Sequence, residues 1–154
     1  MVKVERVLVP LDHSELANEV LDMALSVADR FGAELRVLRI QAQAASLNRG
    51  EAEIDLNVIE RDTAELRRHA IGRAEELGLQ LGANQIEAEL RAGPVVQIIG
   101  ETADEHKVDL IVMGSHGRSG LSELFTGSTT EQVIAKVPVS VLALRPAGYP
   151  YLRD

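Results

Sequence analysis

The chain contains no cysteine and no tryptophan, and only two tyrosines and two phenylalanines among its 154 residues. Without thiols there is no disulfide framework, no thiolate zinc centre and no cysteine nucleophile. No apolar run approaches the ~20 residues that cross a bilayer. The first ten residues carry Lys3, Glu5 and Arg6 instead of the apolar centre of a secretory signal, so a cytoplasmic location is expected. Basic residues are also scarce: 16 against 24 acidic ones give a formal net charge of −8. Such a surface repels nucleic acid and anionic lipid at long range. Neither a nucleic-acid partner nor membrane insertion is expected, and a phosphate-bearing ligand must be held by local geometry.

What is present alternates between two patterns. Arg6 to Pro10 reads as a buried strand. Helical spacing follows from Glu15 to Phe31, through Leu16, Val20, Leu21, Ala24, Leu25 and Ala28, with Ser14 as N-cap and Gly32 as the stop. Leu35 to Ile40 is a second strand, interrupted by Arg36 and Arg39. Residues 41–57 are polar, alanine-rich and irregular, with a turn signal at Asn48-Arg49-Gly50. A long helix then runs to about Leu81, with Ile59, Leu66, Ala70, Ala74, Leu77 and Leu81 on one side. Its Arg61, Arg67, Arg68 and Arg73 are either a binding patch or a solvated face, and the interleaved acids favour the second. Ile86 to Arg91 alternates like a strand exposed on one face. Pro94 suits the first position of the next helix, whose stripe is Val95, Ile98, Ile99 and Ala103. Asp109 to Met113 is a strand, a glycine-rich segment follows, a short helix covers about Thr129 to Lys136, and Val139 to Leu144 is a last strand.

Strands separated by helices imply parallel pairing, and apolar runs without strict alternation imply a sheet covered on both faces. The expectation is an α/β fold: one doubly wound, five-stranded parallel sheet in a single domain over residues 1–145, with a tail at 146–154. In such sheets ligands bind beyond the carboxyl ends of the strands. Two segments stand there, Pro10-Leu11-Asp12-His13-Ser14 and the stretch from Gly114 through Gly117 and Gly120 to Gly127-Ser128-Thr129. Glycines allow close backbone approach, successive N–H groups can form an anion nest, and a helix N-terminus adds unpaired donors. Arg118, Ser119, Ser128 and Thr129 offer side-chain donors. The alternative is a plain loop end, since Ser128-Thr129-Thr130-Glu131 also fits a capping box. His116 lacks an obvious carboxylate partner, and His13, His69 and His106 show no metal-ligand spacing. No catalytic residue and no metal site is expected.

Gly114-x2-Gly117-x9-Gly127-Ser128 resembles the G-2x-G-9x-G-(S/T) signature of ATP-binding universal stress proteins. The run Asp109-Leu110-Ile111-Val112-Met113-Gly114-Ser115-His116-Gly117, the closing Ser128 to Val133 with Pro138-Val139, and the opening Val7 to Ser14 resemble the same family. The likeness spans nearly the whole chain apart from residues 41–57 and the tail. It implies strand order 3-2-1-4-5. By position, Pro10 and Asp12 would line the adenosine end and Ile40 would touch adenine. Met113 and Gly114 would flank the ribose and first phosphate. Gly117, Gly127, Ser128 and Thr129 would hold the phosphates, with Arg118 beside them.

The resemblance implies a regulatory, stress-response protein that binds ATP or another adenine nucleotide with Mg²⁺ and hydrolyses it slowly or not at all. A slow ATPase or nucleotidyl-transfer enzyme, and a nucleotide-free interaction module, are the alternatives. The loop has no P-loop lysine and no obvious base. Too few rings are available to sandwich a flavin, which disfavours a flavodoxin-like carrier. The last strand, apolar on both faces and at a sheet edge in the implied order, is expected to pair with its own copy in a homodimer. A regulatory protein partner is also expected.

Overall fold

The structure, a computed structural model, describes residues 2–41, 56–115, 129–145 and 147. Its elements follow the chain as β1 (Arg6–Leu11), α1 (Ala17–Phe31), β2 (Glu34–Gln41), α2 (Leu56–Glu76), a single 3-10 turn (Ala83–Gln85), β3 (Ile86–Ala92), α3 (Val95–Glu105), β4 (Leu110–Gly114), α4 (Thr129–Lys136) and β5 (Ser140–Leu144). The strands form one sheet in the order β3-β2-β1-β4-β5, with all four pairings parallel.

β1 and β4 are apolar in nearly every position because both of their faces are covered. Val7, Val9, Leu11, Leu35, Val37, Ile86 and Val112 point to one side, where they meet Leu21, Ala24, Leu25 and Ala28 of α1 and Leu66, Ala70 and Ala74 of α2. Leu8, Leu38, Ile111 and Met113 point to the other, against Ile98, Ile99 and Ala103 of α3 and Val133 of α4. The period-two split between the two clusters shows why β1 and β4 do not alternate polar with apolar, while the edge strand β3 does.

Three helices end by one device. After α1, Gly32 adopts φ 64° and donates to Asp29, while Ala33 donates to the Ala28 carbonyl at 2.8 Å. After α2, Gly78 at φ 67° and Leu79 repeat the pattern on Glu75 and Ala74. After α3 the left-handed position falls on Lys107, φ 51°, and Val108 reaches back to the Ala103 carbonyl. Each is a Schellman closure with a small or apolar residue tucked in behind it. Gly78 explains why α2 stops at Glu76 and does not run on to Leu81, which is buried beyond the helix.

Two helix starts also differ from expectation. Ser14 does not cap α1: the helix begins at Ala17, and Leu16 precedes it with no side-chain cap. The Ser14 N–H is instead taken by Asp12 Oδ1 at 2.9 Å, an Asx turn that spends two residues before the helix can begin. Pro94 stands one residue before α3, in an extended conformation at φ −63° and ψ 123°. Of the four α2 arginines, Arg67 donates to the backbone carbonyls of Ile86 (2.8 Å) and Ala83 (2.7 Å). Arg73 forks onto both oxygens of Asp22 in α1. They are ties between elements, which accounts for much of the cluster without a ligand.

Candidate functional site

The order β2-β1-β4 places the ends of β1 and β4 side by side. One aspartate sets their register. Asp109 Oδ2 accepts the N–H groups of Glu5 (2.8 Å) and Arg6 (2.9 Å), and the Asp109 N–H donates to the Arg6 carbonyl. Val7 then lies opposite Leu110 and Leu8 opposite Ile111. Both strands run from this clasp toward the same edge, so Pro10 and Asp12 emerge beside Met113 and Gly114. Sequence reasoning quoted Asp109 without giving it a role; the signal was an acid standing directly before an apolar strand.

At the carboxyl edge the parts converge on Gly114. A β-carbon there would lie 2.9 Å from Leu16 Cδ2 and 3.3 Å from Val20 Cγ2, so the glycine lets β4 pass close under the start of α1. The Gly114 carbonyl accepts the hydroxyl of Thr130, in the first turn of α4, at 2.6 Å. The next residue, Ser115, donates its N–H to the Leu144 carbonyl of β5 at 2.8 Å. The tip of β4 is thereby fixed to α1, α4 and β5 together.

Among the residues expected to bind, Asp12 and Thr129 are exposed, Pro10, Ile40 and Gly114 are half-buried, and the Met113 side chain is 6% exposed within the core. Asp12 already accepts one hydrogen bond locally, but a carboxylate has capacity for about four. Ile40, one residue before the end of β2, lies opposite Arg91 of β3 and packs against the second cluster. Gly117, Arg118, Gly127 and Ser128 lie outside the described residues, as do His116 and Ser119. A groove of about 720 Å³ between α3 and α4 includes Thr129, and none of the other described candidates, in its lining.

Two further features escaped the sequence. Arg39, near the end of β2 opposite Leu11 and Leu90, has a buried Nε with no hydrogen-bond partner among the described residues. On the α3 side, Glu89, Glu105 and His106 bring ligand atoms within 4.8 Å of one another. Arg91 donates to both carboxylates there, and Arg36 adds a contact to Glu89 at 3.3 Å. The two guanidinium groups already balance the two acids, and the Arg91 fork stands where a cation would bind. Arg91 also holds the Glu105 carboxyl below its usual range, chiefly through their hydrogen bond. The three residues are 17 positions apart in sequence at most, across a strand and a helix end, with no motif to announce them.

The universal stress protein family profile matches residues 3–145. The chain belongs to the universal stress protein family. Universal stress protein Sll1388 of Synechocystis sp. is 30% identical over 149 residues, covering 91% of this chain and 97% of that protein. Universal stress protein MJ0531 of Methanocaldococcus jannaschii is 27% identical over 144 residues, covering 92% and 82%. Among solved structures, UspA from Lactobacillus plantarum superposes with a TM-score of 0.72 at 24% identity, over 94% of this chain and 100% of that one. A universal stress protein in complex with cAMP superposes with a TM-score of 0.68 at 24% identity, over 93% and 98%. These likenesses agree with the five-stranded order found here. Among the described residues no helix of this universal stress protein is long and apolar enough to cross a membrane.

Proposed function

We propose that this universal stress protein is a cytoplasmic regulatory protein that holds ATP, with Mg²⁺, across the adjoining ends of β1 and β4. The observation that carries the reading is the junction at Gly114. It brings the Asp12 turn, the Gly114 end of β4 and the start of α4 to one edge of the sheet. The spacing Gly114-x2-Gly117-x9-Gly127-Ser128 supports a backbone cradle for the triphosphate. Pro10, Asp12 and Ile40 are assigned to the adenosine end and Met113 to the ribose, through its backbone since its side chain is core. Gly114, Gly117, Arg118, Gly127, Ser128 and Thr129 are assigned to the phosphates. Mg²⁺ accompanies the ligand because a triphosphate meeting a chain of net charge −8 needs a local counter-charge. A related protein of the same fold is known in complex with cAMP, which supports an adenine nucleotide as the ligand class.

Turnover is slow or absent in this reading. The 114–128 segment contains one arginine and no lysine, whereas efficient phosphoryl transfer uses a positioned cation and a group that orients the nucleophile. The protein works as a homodimer through β5 and transmits its nucleotide state to a protein partner. Titration calorimetry with MgATP tests the site. Wild-type protein binds, and Gly127→Val, which fills the space needed for backbone approach, does not. Full affinity in that variant would remove the triphosphate from this loop.

A further inference from the structure

We propose that Thr130 is a positioning residue for the phosphates, acting through the Gly114 carbonyl and not by touching the ligand. The inference rests on the reading that the triphosphate sits on the 114–128 segment. Thr130 is 6% exposed, one of only two buried polar or charged residues among those described, the other being Thr102. The two hydroxyls do different things. Thr102 donates to the Ile98 carbonyl of its own helix, the usual way to satisfy a buried threonine at i−4. Thr130 leaves its helix and donates to Gly114, 16 residues earlier, at 2.6 Å.

That bond joins the two ends of the glycine-rich segment. Gly114 is the last residue of β4 and Thr130 the second of α4. The clasp fixes the first turn of α4 against the tip of the strand. The strand tip is itself immobilised by Leu16 and Val20 on one side and by the Ser115–Leu144 bond on the other. A donor set that must meet three phosphates gains affinity from being held in place before the ligand arrives. Threonine is suited to this role: its methyl group fills the buried site while its hydroxyl reaches a carbonyl, and valine would keep the shape and lose the bond.

The test compares MgATP with adenosine on the full chain by calorimetry, with thermal melting alongside. Wild type binds ATP more tightly than adenosine. Thr130→Val lowers ATP affinity by about 5–10-fold, the equivalent of one buried hydrogen bond, and leaves adenosine affinity within about twofold. Thr130→Ser restores the ATP affinity. If Thr130→Val does not fold, Thr130→Ala gives the same comparison. Unchanged ATP affinity, an equal loss for both ligands, or no rescue by serine would each overturn the positioning role and leave Thr130 as a structural residue. A wild-type chain that binds ATP no better than adenosine would instead overturn the triphosphate reading on which the role depends.

Discussion

Asp109 sets the register of β1 against β4, although it sits at the end of the strands opposite the candidate site. One carboxylate oxygen accepts two backbone N–H groups of the β1 start. Charge-assisted bonds of this kind are worth about 1.5–3 kcal/mol each when isolated, and less where water competes. Asp109→Ala is expected to cost about 2 kcal/mol in urea unfolding, and Asp109→Asn less, because an amide oxygen can still accept. A change under ~0.5 kcal/mol, the range of ordinary surface substitutions, would show that the pairing of β1 with β4 needs no clasp. Gly114 was legible as a glycine that matters, but for phosphate approach alone. Its contact with Leu16 and Val20 supplies a packing reason that a motif cannot reveal, since the neighbours come from another element about 100 residues away.

The helices are where the sequence could be read furthest. The apolar stripes of α1 and α3 are buried where spacing put them except at two ends, Phe31, which is exposed, and Val95, which is half-buried, and α4 covers the expected residues 129–136. The errors concern ends. A helix end is decided by one residue's backbone angle and two hydrogen bonds, and periodicity carries no information about either. Gly32 was recognisable because glycine tolerates the left-handed region; Gly78 carried the same signal inside a run that still looked helical. Lys107 carried none, because lysine is not selected for φ 51°. That position supplies a test at this scale. Lys107→Gly removes the β-carbon strain and is expected to stabilise the protein by about 0.5–1 kcal/mol, net of the greater freedom glycine has when unfolded. The ion pair it gives up, Lys107 to Asp104, is exposed and contributes little. A melting temperature unchanged or lowered in the variant would mean the closure after α3 is not strained.

For the molecule as a whole, the strand order and the two-sided core were both anticipated. The order came from the family likeness and the double coverage from the apolar runs. The two edges of the sheet, however, are finished differently. β3 carries Glu87, Glu89 and Arg91 on one face, tied by charge to α3, and charged edges resist pairing with another chain. β5 has no acid or base between Ser140 and Leu144, its Leu142 is 38% exposed, and Ile134 of the neighbouring α4 is 56% exposed. Burying such an edge against its own copy answers both the unpaired backbone and the exposed side chains. Light scattering is expected to give twice the 16.7 kDa chain mass. The double variant Val141→Lys, Leu142→Pro is expected to give monomer or precipitate. Wild-type protein that remains monomeric at high micromolar concentration would rule out this interface. The 146–154 tail, expected to lie beyond the domain, falls outside the described residues except for Ala147.

The clasp between Arg6 and Asp109 also has a meaning in time. β1, β2 and β3 are neighbours joined through one helix each, so their pairing closes loops of a few tens of residues. β1 meets β4 only across about 100 residues of chain. Loop closure becomes more costly with separation, and contacts remote in sequence form late. The three-stranded half needs only short loop closures, whereas the β1–β4 seam needs a long one and is expected to close after it. A nucleotide seated across that seam, as proposed, would need the finished sheet. In the cell, a bound nucleotide would act as a receipt that folding had gone to completion.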